Sequence, residues 1–124
     1  MHFDQRTQAA LRDAGLSSAE IERVSKAVAE AASRDAAAIE SFFDGVETVH
    51  SDMELAHSSA TVHEHAVRYV DLYTHGAEIR GYIRFDSWGV PVEGGRVLGE
   101  AKVELSLGAT VGDRVRFARD PSLL

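Results

Sequence analysis

The stretch SDMELAHSSATVHEHAVRYVDLYTH, residues 51–75, decides how the rest of the chain is read. It holds His57, His63, His65 and His75, and His50 precedes it, so five of the six histidines gather here. Two templates compete. Wound as a helix, Leu55, Ser59, Val62, Ala66, Tyr69 and Tyr73 recur at steps of four and three and form one stripe. The opposite side then carries His57, Glu64, Arg68, Asp71 and His75, with Glu64 and Arg68 an acid-first i, i+4 pair. Ser51-x-x-Glu54 reads as a capping box and Gly76 as a helix stop.

Stretched into strands, the same residues alternate less cleanly. Val49, Met53 and Leu55 alternate with His50, Asp52 and Glu54, but further on both rows carry a charge. One row is Ala66, Arg68, Val70, Leu72, and the other is Val67, Tyr69, Asp71, Tyr73. Composition favours a strand, since Val, Thr and Tyr abound. Periodicity favours a helix, and a helix is the expectation. The choice matters chemically. On a helix His63 and His65 sit ~200° apart, whereas on a strand they point the same way.

Outward from this stretch, Asp4–Ala14 reads as a short helix ended by Gly15. Ser17-x-x-Glu20 is a capping box flanked by Leu16 and Ile21 at the staple positions, and a helix follows from about Ser18 to Asp44, stopped by Gly45. Its buried stripe is Ile21, Val24, Val28, Ala31, Ile39 and Phe42, with Asp35 a candidate interruption. Joined by a short loop to a helical 51–75, it makes an antiparallel helical hairpin. From Ala77 the period becomes two. Ile79–Phe85 reads as a strand, Ser87–Gly95 as a loop, Arg96–Leu107 as one long strand, and Arg114–Ala118 as a last short one. Residues 120–124 read as a frayed tail. The expected architecture is α+β in one domain spanning 1–124: a helical part over 1–75, including the long hairpin, then a three-stranded antiparallel sheet over 76–119.

A chain of 124 residues with 44% hydrophobic and 27% charged residues suits one soluble core. It contains no cysteine, so disulfides, thiolate metal sites and cysteine nucleophiles are excluded. The start, MHFDQRTQ, has no apolar run, and no stretch is long and apolar enough for a membrane span; the expected location is the cytoplasm. The net charge of −7 lies in the first part, where residues 1–75 carry 13 acids against 6 Lys or Arg. That field disfavours nucleic acid and anionic membranes. Only two of the cations are lysines.

Several residues invite chemistry. Glu54-x-x-His57 has the i, i+3 spacing of carboxylate–histidine metal sites in bundles, and Asp71-x-x-x-His75 places the same two ligand types one turn apart. Zinc, iron or manganese would suit them. The two pairs lie ~25 Å apart on one helix and stay separate. If the stretch is a strand, His63 and His65 with His50 or Asp52 form the alternative, resembling the His-x-His arrangement of cupins. The outer side of the first strand offers Arg80, Tyr82 and Arg84, with Arg114 and Arg116 nearby, and Trp88 sits in the following loop. Arginine beside aromatic residues suits a protein partner or, as an alternative, RNA. Gly94–Ala101 lacks the Gly-Lys-Ser/Thr of a phosphate loop, and no Gly-x-Ser-x-Gly occurs.

MHFDQRTQ, HSDMELAHSS and RFDSWGVPVEGGRV resemble stretches of small uncharacterised proteins of salt-loving archaea. The resemblance implies a cytoplasmic, high-salt home and carries no site residues with it. Together these readings give a non-catalytic binding or regulatory module, pairing as a homodimer through its hairpin. A metal-dependent protein and an RNA-associated domain are the alternatives.

Overall fold

The capping box forms as the sequence requires: Ser17 Oγ accepts from Glu20 N–H at 3.2 Å and Glu20 Oε1 accepts from Ser17 N–H at 3.0 Å. The computed structural model describes residues 3–55, 58–108 and 113–124. The short helix α1 (Gln5–Asp13) precedes the long helix α2 (Ser18–Phe43), which runs through Asp35 without a break. Ile21, Ser25, Ala32, Ala36, Ile39, Phe42 and Phe43 are its buried residues, whereas Val24 of the expected stripe is exposed.

After α2 the chain is β-structure. The strands are β1 (Thr48–Ser51), β2 (His63–His75), β3 (Glu78–Phe85), β4 (Gly89–Gly99), β5 (Lys102–Leu107) and β6 (Asp113–Ala118), followed by a 3-10 turn, Pro121–Leu123. They pair antiparallel in chain order, and β6 returns to β1 to close a six-stranded barrel. The expected helical hairpin and three-stranded sheet are therefore wrong. Residues 48–75 contribute two strands to the sheet, so the helical part ends with α2, and the basis for pairing two copies through a hairpin goes with it.

The cause is a pair of β-bulges. In β2, Val67 pairs with Phe85 and Tyr69 with Arg84, which leaves Arg68 as an extra residue. An extra residue flips the parity of a strand. The buried or half-buried row is His63, His65, Val67 before the bulge and Val70, Leu72, Thr74 after it. Arg68 and Asp71, which charge both rows of an unbulged strand, are both exposed. In β4, Val92 pairs with Leu107 and Gly94 with Ser106, so Glu93 is extra in the same way, and the expected loop over 87–95 is mostly strand.

The expected single strand Arg96–Leu107 is two strands joined at Glu100–Ala101, with Gly99 paired to Lys102. A further bulge at Leu98 sets Val97 opposite Val103. Val97, Val103, Leu105 and Leu107 therefore share one row across the turn.

The barrel interior is filled by Val49, Met53, Ile79, Ile83, Phe85, Val90, Val92, Val103, Leu105, Leu107, Val115 and Phe117. Ala32, Ala36, Ile39, Phe42 and Phe43 of α2 join the same core. The small side chains of Ala32 and Ala36 let the helix backbone approach the strands. Two ladder pairs alone join β1 to β6, and Asp52 extends that seam. Its carboxylate accepts from Arg116 N–H at 2.8 Å and from Arg116 Nε at 2.7 Å. Charge-assisted bonds of this kind are the stronger class.

Gly81 lies opposite Leu72 with φ 155°, and a Cβ there would run into the carbonyl oxygen of Asp71. Gly81→Ala must push β2 and β3 apart. We expect a loss of at least ~2 kcal/mol of stability in urea unfolding; a change under ~0.5 kcal/mol would contradict the close approach.

Candidate functional site

Strand β2 places residues 63–75 of the decisive stretch, and its two halves have different surroundings. The first half is paired with β1, with Val49 opposite His65 and Ser51 opposite His63. His65 is buried beside Phe85 and Phe117, with ring centroids 5.0 and 6.2 Å away. Ser51 Oγ accepts from Met53 N–H at 3.3 Å and lies 2.6 Å from His65 Nε2. That separation is a hydrogen bond whose donor is set by the imidazole tautomer. Burial first, then the nearby His63 and His50 rings, bring the His65 pKa down to about 4. Ser51 is sealed from solvent, so this pair is an interior hydrogen bond and has no access to a substrate.

His63 and His65 do share a face, as the strand alternative requires, with ring centroids 6.5 Å apart. His63 Nε2 is buried with no hydrogen-bond partner among the described residues. His50 has the opposite parity to the buried Val49 and Ser51, and Asp52 is held by Arg116. Among the described residues no group of three or more His, Asp or Glu is arranged to hold a metal ion.

The helix-based pairs fare differently. Glu54 is exposed, and His57 lies outside the described residues. Asp71 and His75 are both exposed on β2. Four residues of strand put their Cα atoms ~13 Å apart, too far for one ion. Arg68, expected to pair with Glu64, instead bonds Asp86 through Nε and Nη2 at 3.2 and 3.1 Å.

The second half of β2 carries the features that helix reasoning missed. Tyr69 and Tyr73, assigned to a buried stripe, are 52% and 64% exposed. They share the outer face of β2 and β3 with Arg80, Tyr82 and Arg84. Tyr69 lies opposite Arg84, Asp71 opposite Tyr82, and Tyr73 opposite Arg80. Tyr82 therefore stands diagonal to both other tyrosines, ~7–8 Å from each. Its ring also covers Gly89, where any side chain would collide with it. Arg80 donates to the Glu93 carbonyl at 3.1 Å and bonds Glu78 at 3.4 Å. Trp88 is half-buried and stacks on Phe85 at 4.4 Å, so it closes the end of the core. The residues expected to grip a partner thus divide: Tyr82 and Arg84 stand on the tyrosine face, while Arg80 and Trp88 are engaged in holding β4 and the core.

Beyond Ala66, its last pairing with β1, β2 stays paired to β3 while its other edge meets no strand through residues 68–75. Helix α2 lies along this edge. Glu40 Oε2 accepts from Leu72 N–H at 3.3 Å, and Ser33 Oγ lies 3.3 Å from Thr74 Oγ1. Covering an edge with a helix is one way to protect it. The cover leaves two grooves. One, of about 770 Å³, lies between Glu40, Asp44, Val46 and Glu47 on one side and Val67–Val70 on the other. The second, of about 620 Å³, lies between Lys26, Glu30 and Arg34 and the end of β2 at Thr74–Gly76. In an antiparallel ladder alternate residues present their backbone groups to the same neighbour. Since Leu72 N–H faces α2, the N–H and C=O of Val70 face the first groove.

Residues 1–122 match the model of a family of unknown function, DUF7532, and the chain belongs to that family. No curated protein and no solved structure matches it. Among the described residues no helix is long and apolar enough to cross a membrane.

His65 yields a pH dependence with a definite sign. Between about pH 6.5 and pH 4 the unfolded chain binds a proton at this residue that the folded protein does not, so stability falls as pH falls through that window. Replacing both partners, Ser51→Ala with His65→Leu, removes this titration; the Met53 N–H bond lost with the Ser51 hydroxyl does not titrate and lowers stability equally at both pH values. Between pH 7 and pH 5 the wild-type protein should lose about 2 kcal/mol more in urea unfolding than the double variant. Equal losses would show that His65 titrates normally.

Proposed function

We propose that this protein is a non-catalytic binding module that takes a polypeptide partner along the second half of β2, in the groove beside α2 and on the adjoining tyrosine face. The observation that carries the reading is the groove itself. It combines an apolar floor (Ala37, Val46, Val67, Val70), outward backbone groups of a strand edge, and Tyr69 at its rim. Strand edges and grooves of this kind are how many domains hold extended peptides. Exposed tyrosine and arginine are the side chains that interfaces favour, and Tyr69, Tyr73, Tyr82 and Arg84 gather beside the groove. The only serine–histidine contact described is sealed inside the barrel, which favours binding over chemistry at this site. The acid-rich, lysine-poor composition supports a cytoplasm of high salt as its home.

The reading is tested by titrating isotope-labelled protein with pooled ten-residue peptides of mixed sequence and following its backbone amide resonances. Saturable shifts should concentrate on residues 37–47 and 67–75. Tyr69→Ser and Tyr73→Ser should weaken binding while changing stability by no more than ~0.5 kcal/mol. Shifts confined to β5 and β6, or none with any pool, would overturn the reading.

A further inference from the structure

Resting on that reading, we infer that the segment taken by the groove at Val67–Val70 is basic: an extended stretch of a partner protein bearing lysine or arginine at alternate positions. The argument is charge complementarity in a groove whose own cations are already occupied. Glu40, Asp44 and Glu47 line one wall. The cation on the other wall, Arg68, has its guanidinium on Asp86. Neither Asp44 nor Glu47 has a side-chain partner among the described residues, and Glu40 meets only the neutral N–H of Leu72.

These acids also stand where a helix least favours them. The carbonyl end of a helix carries partial negative charge and is stabilised by cations. Yet α2 has no basic residue in its last turn, which instead carries Glu40 and ends at Asp44. Arg119 donates to the Phe42 carbonyl at 3.2 Å and lies over the Phe42 ring at 5.2 Å. It lines a separate hollow with Val97 and Val103. The groove side is left acidic. An alternating segment fits the remaining geometry. One row of its side chains reaches the carboxylates while its backbone meets the N–H and C=O of Val70, and Tyr69 at the rim can pack on an aliphatic lysine or arginine stem.

The test uses the whole chain and three ten-residue peptides that alternate Thr with Lys, Thr with Ser, or Thr with Glu, again followed through the backbone amides. The Thr/Lys peptide should bind, shifting residues 37–47 and 67–70, and its affinity should fall as salt is raised. Asp44→Asn with Glu47→Gln should weaken it about tenfold or more. The charge-reversed variant, Asp44→Lys with Glu47→Lys, should instead take the Thr/Glu peptide, a gain that misfolding cannot produce. If the Thr/Ser or Thr/Glu peptide binds the wild-type groove as tightly as Thr/Lys, the basic-segment inference falls and the groove reading stands. If Thr/Lys binds with shifts elsewhere, or the charge-reversed variant keeps the original preference, the inference falls as well. If no peptide moves the groove residues, both fall.

Discussion

One extra residue, Arg68, lets a single thirteen-residue strand serve both ends of this barrel. Before it, the inward row of β2 is His63, His65 and Val67. After it, the inward row is Val70, Leu72 and Thr74. Without the bulge, the second half would turn Tyr69, Asp71 and Tyr73 toward α2 and the core, and an unpaired carboxylate would be buried there at great cost. Bulges also bend strands, and a closed sheet of six strands needs that bend. The bulge in β4 at Glu93 does the same on the other flank of β3.

Much follows from that constraint. Because Val70 and Leu72 face inward, α2 can lie over them with Ala32, Ala36 and Ile39 at the contact. Because Leu72 turns its N–H away from β3, Glu40 can bind it and fasten the helix along the strand's unpaired edge. The same reversal throws Tyr69 and Tyr73 outward, next to Tyr82 and Arg84. The grooves lie between α2 with the segment after it and the second half of β2. The first half of β2 plays the opposite part: it is paired with β1, and its histidine is held neutral among phenylalanines.

The sequence was legible wherever structure is local. The capping box at Ser17–Glu20 and the glycines at 15 and 45 bounded both helices to within about a residue. Strict alternation at Ile79–Phe85, at Val103, Leu105 and Leu107, and at Val115 and Phe117 identified the inward rows of three strands. What failed was non-local. A bulge is dictated by how a strand must curve against its neighbours, and its residue here, Arg68, has no turn-forming character. Its effect is to insert one step into a period of two. Three-and-four spacings then arise by accident, and Tyr69 and Tyr73 fell onto a false helical stripe. The turn at Glu100–Ala101 was hidden by cancellation, since the Leu98 bulge restored the parity that a two-residue turn shifts. The candidate site suffered the same fate. Tyr82 and Arg84 could be placed on one outer face because β3 is regular, whereas Tyr69, Tyr73 and the acidic groove wall could not be assembled without the fold of β2.

The most direct measurement is the set of short proton–proton distances by nuclear magnetic resonance across residues 63–85. The account requires cross-strand Hα–Hα contacts of Leu72 with Gly81 and of Val70 with Ile83, together with a Val67–Phe85 contact displaced by the one residue that Arg68 adds. Sequential amide–amide contacts and Hα-to-amide contacts three residues apart through 63–75 would mean a helix there, and would contradict the barrel and the groove beside it.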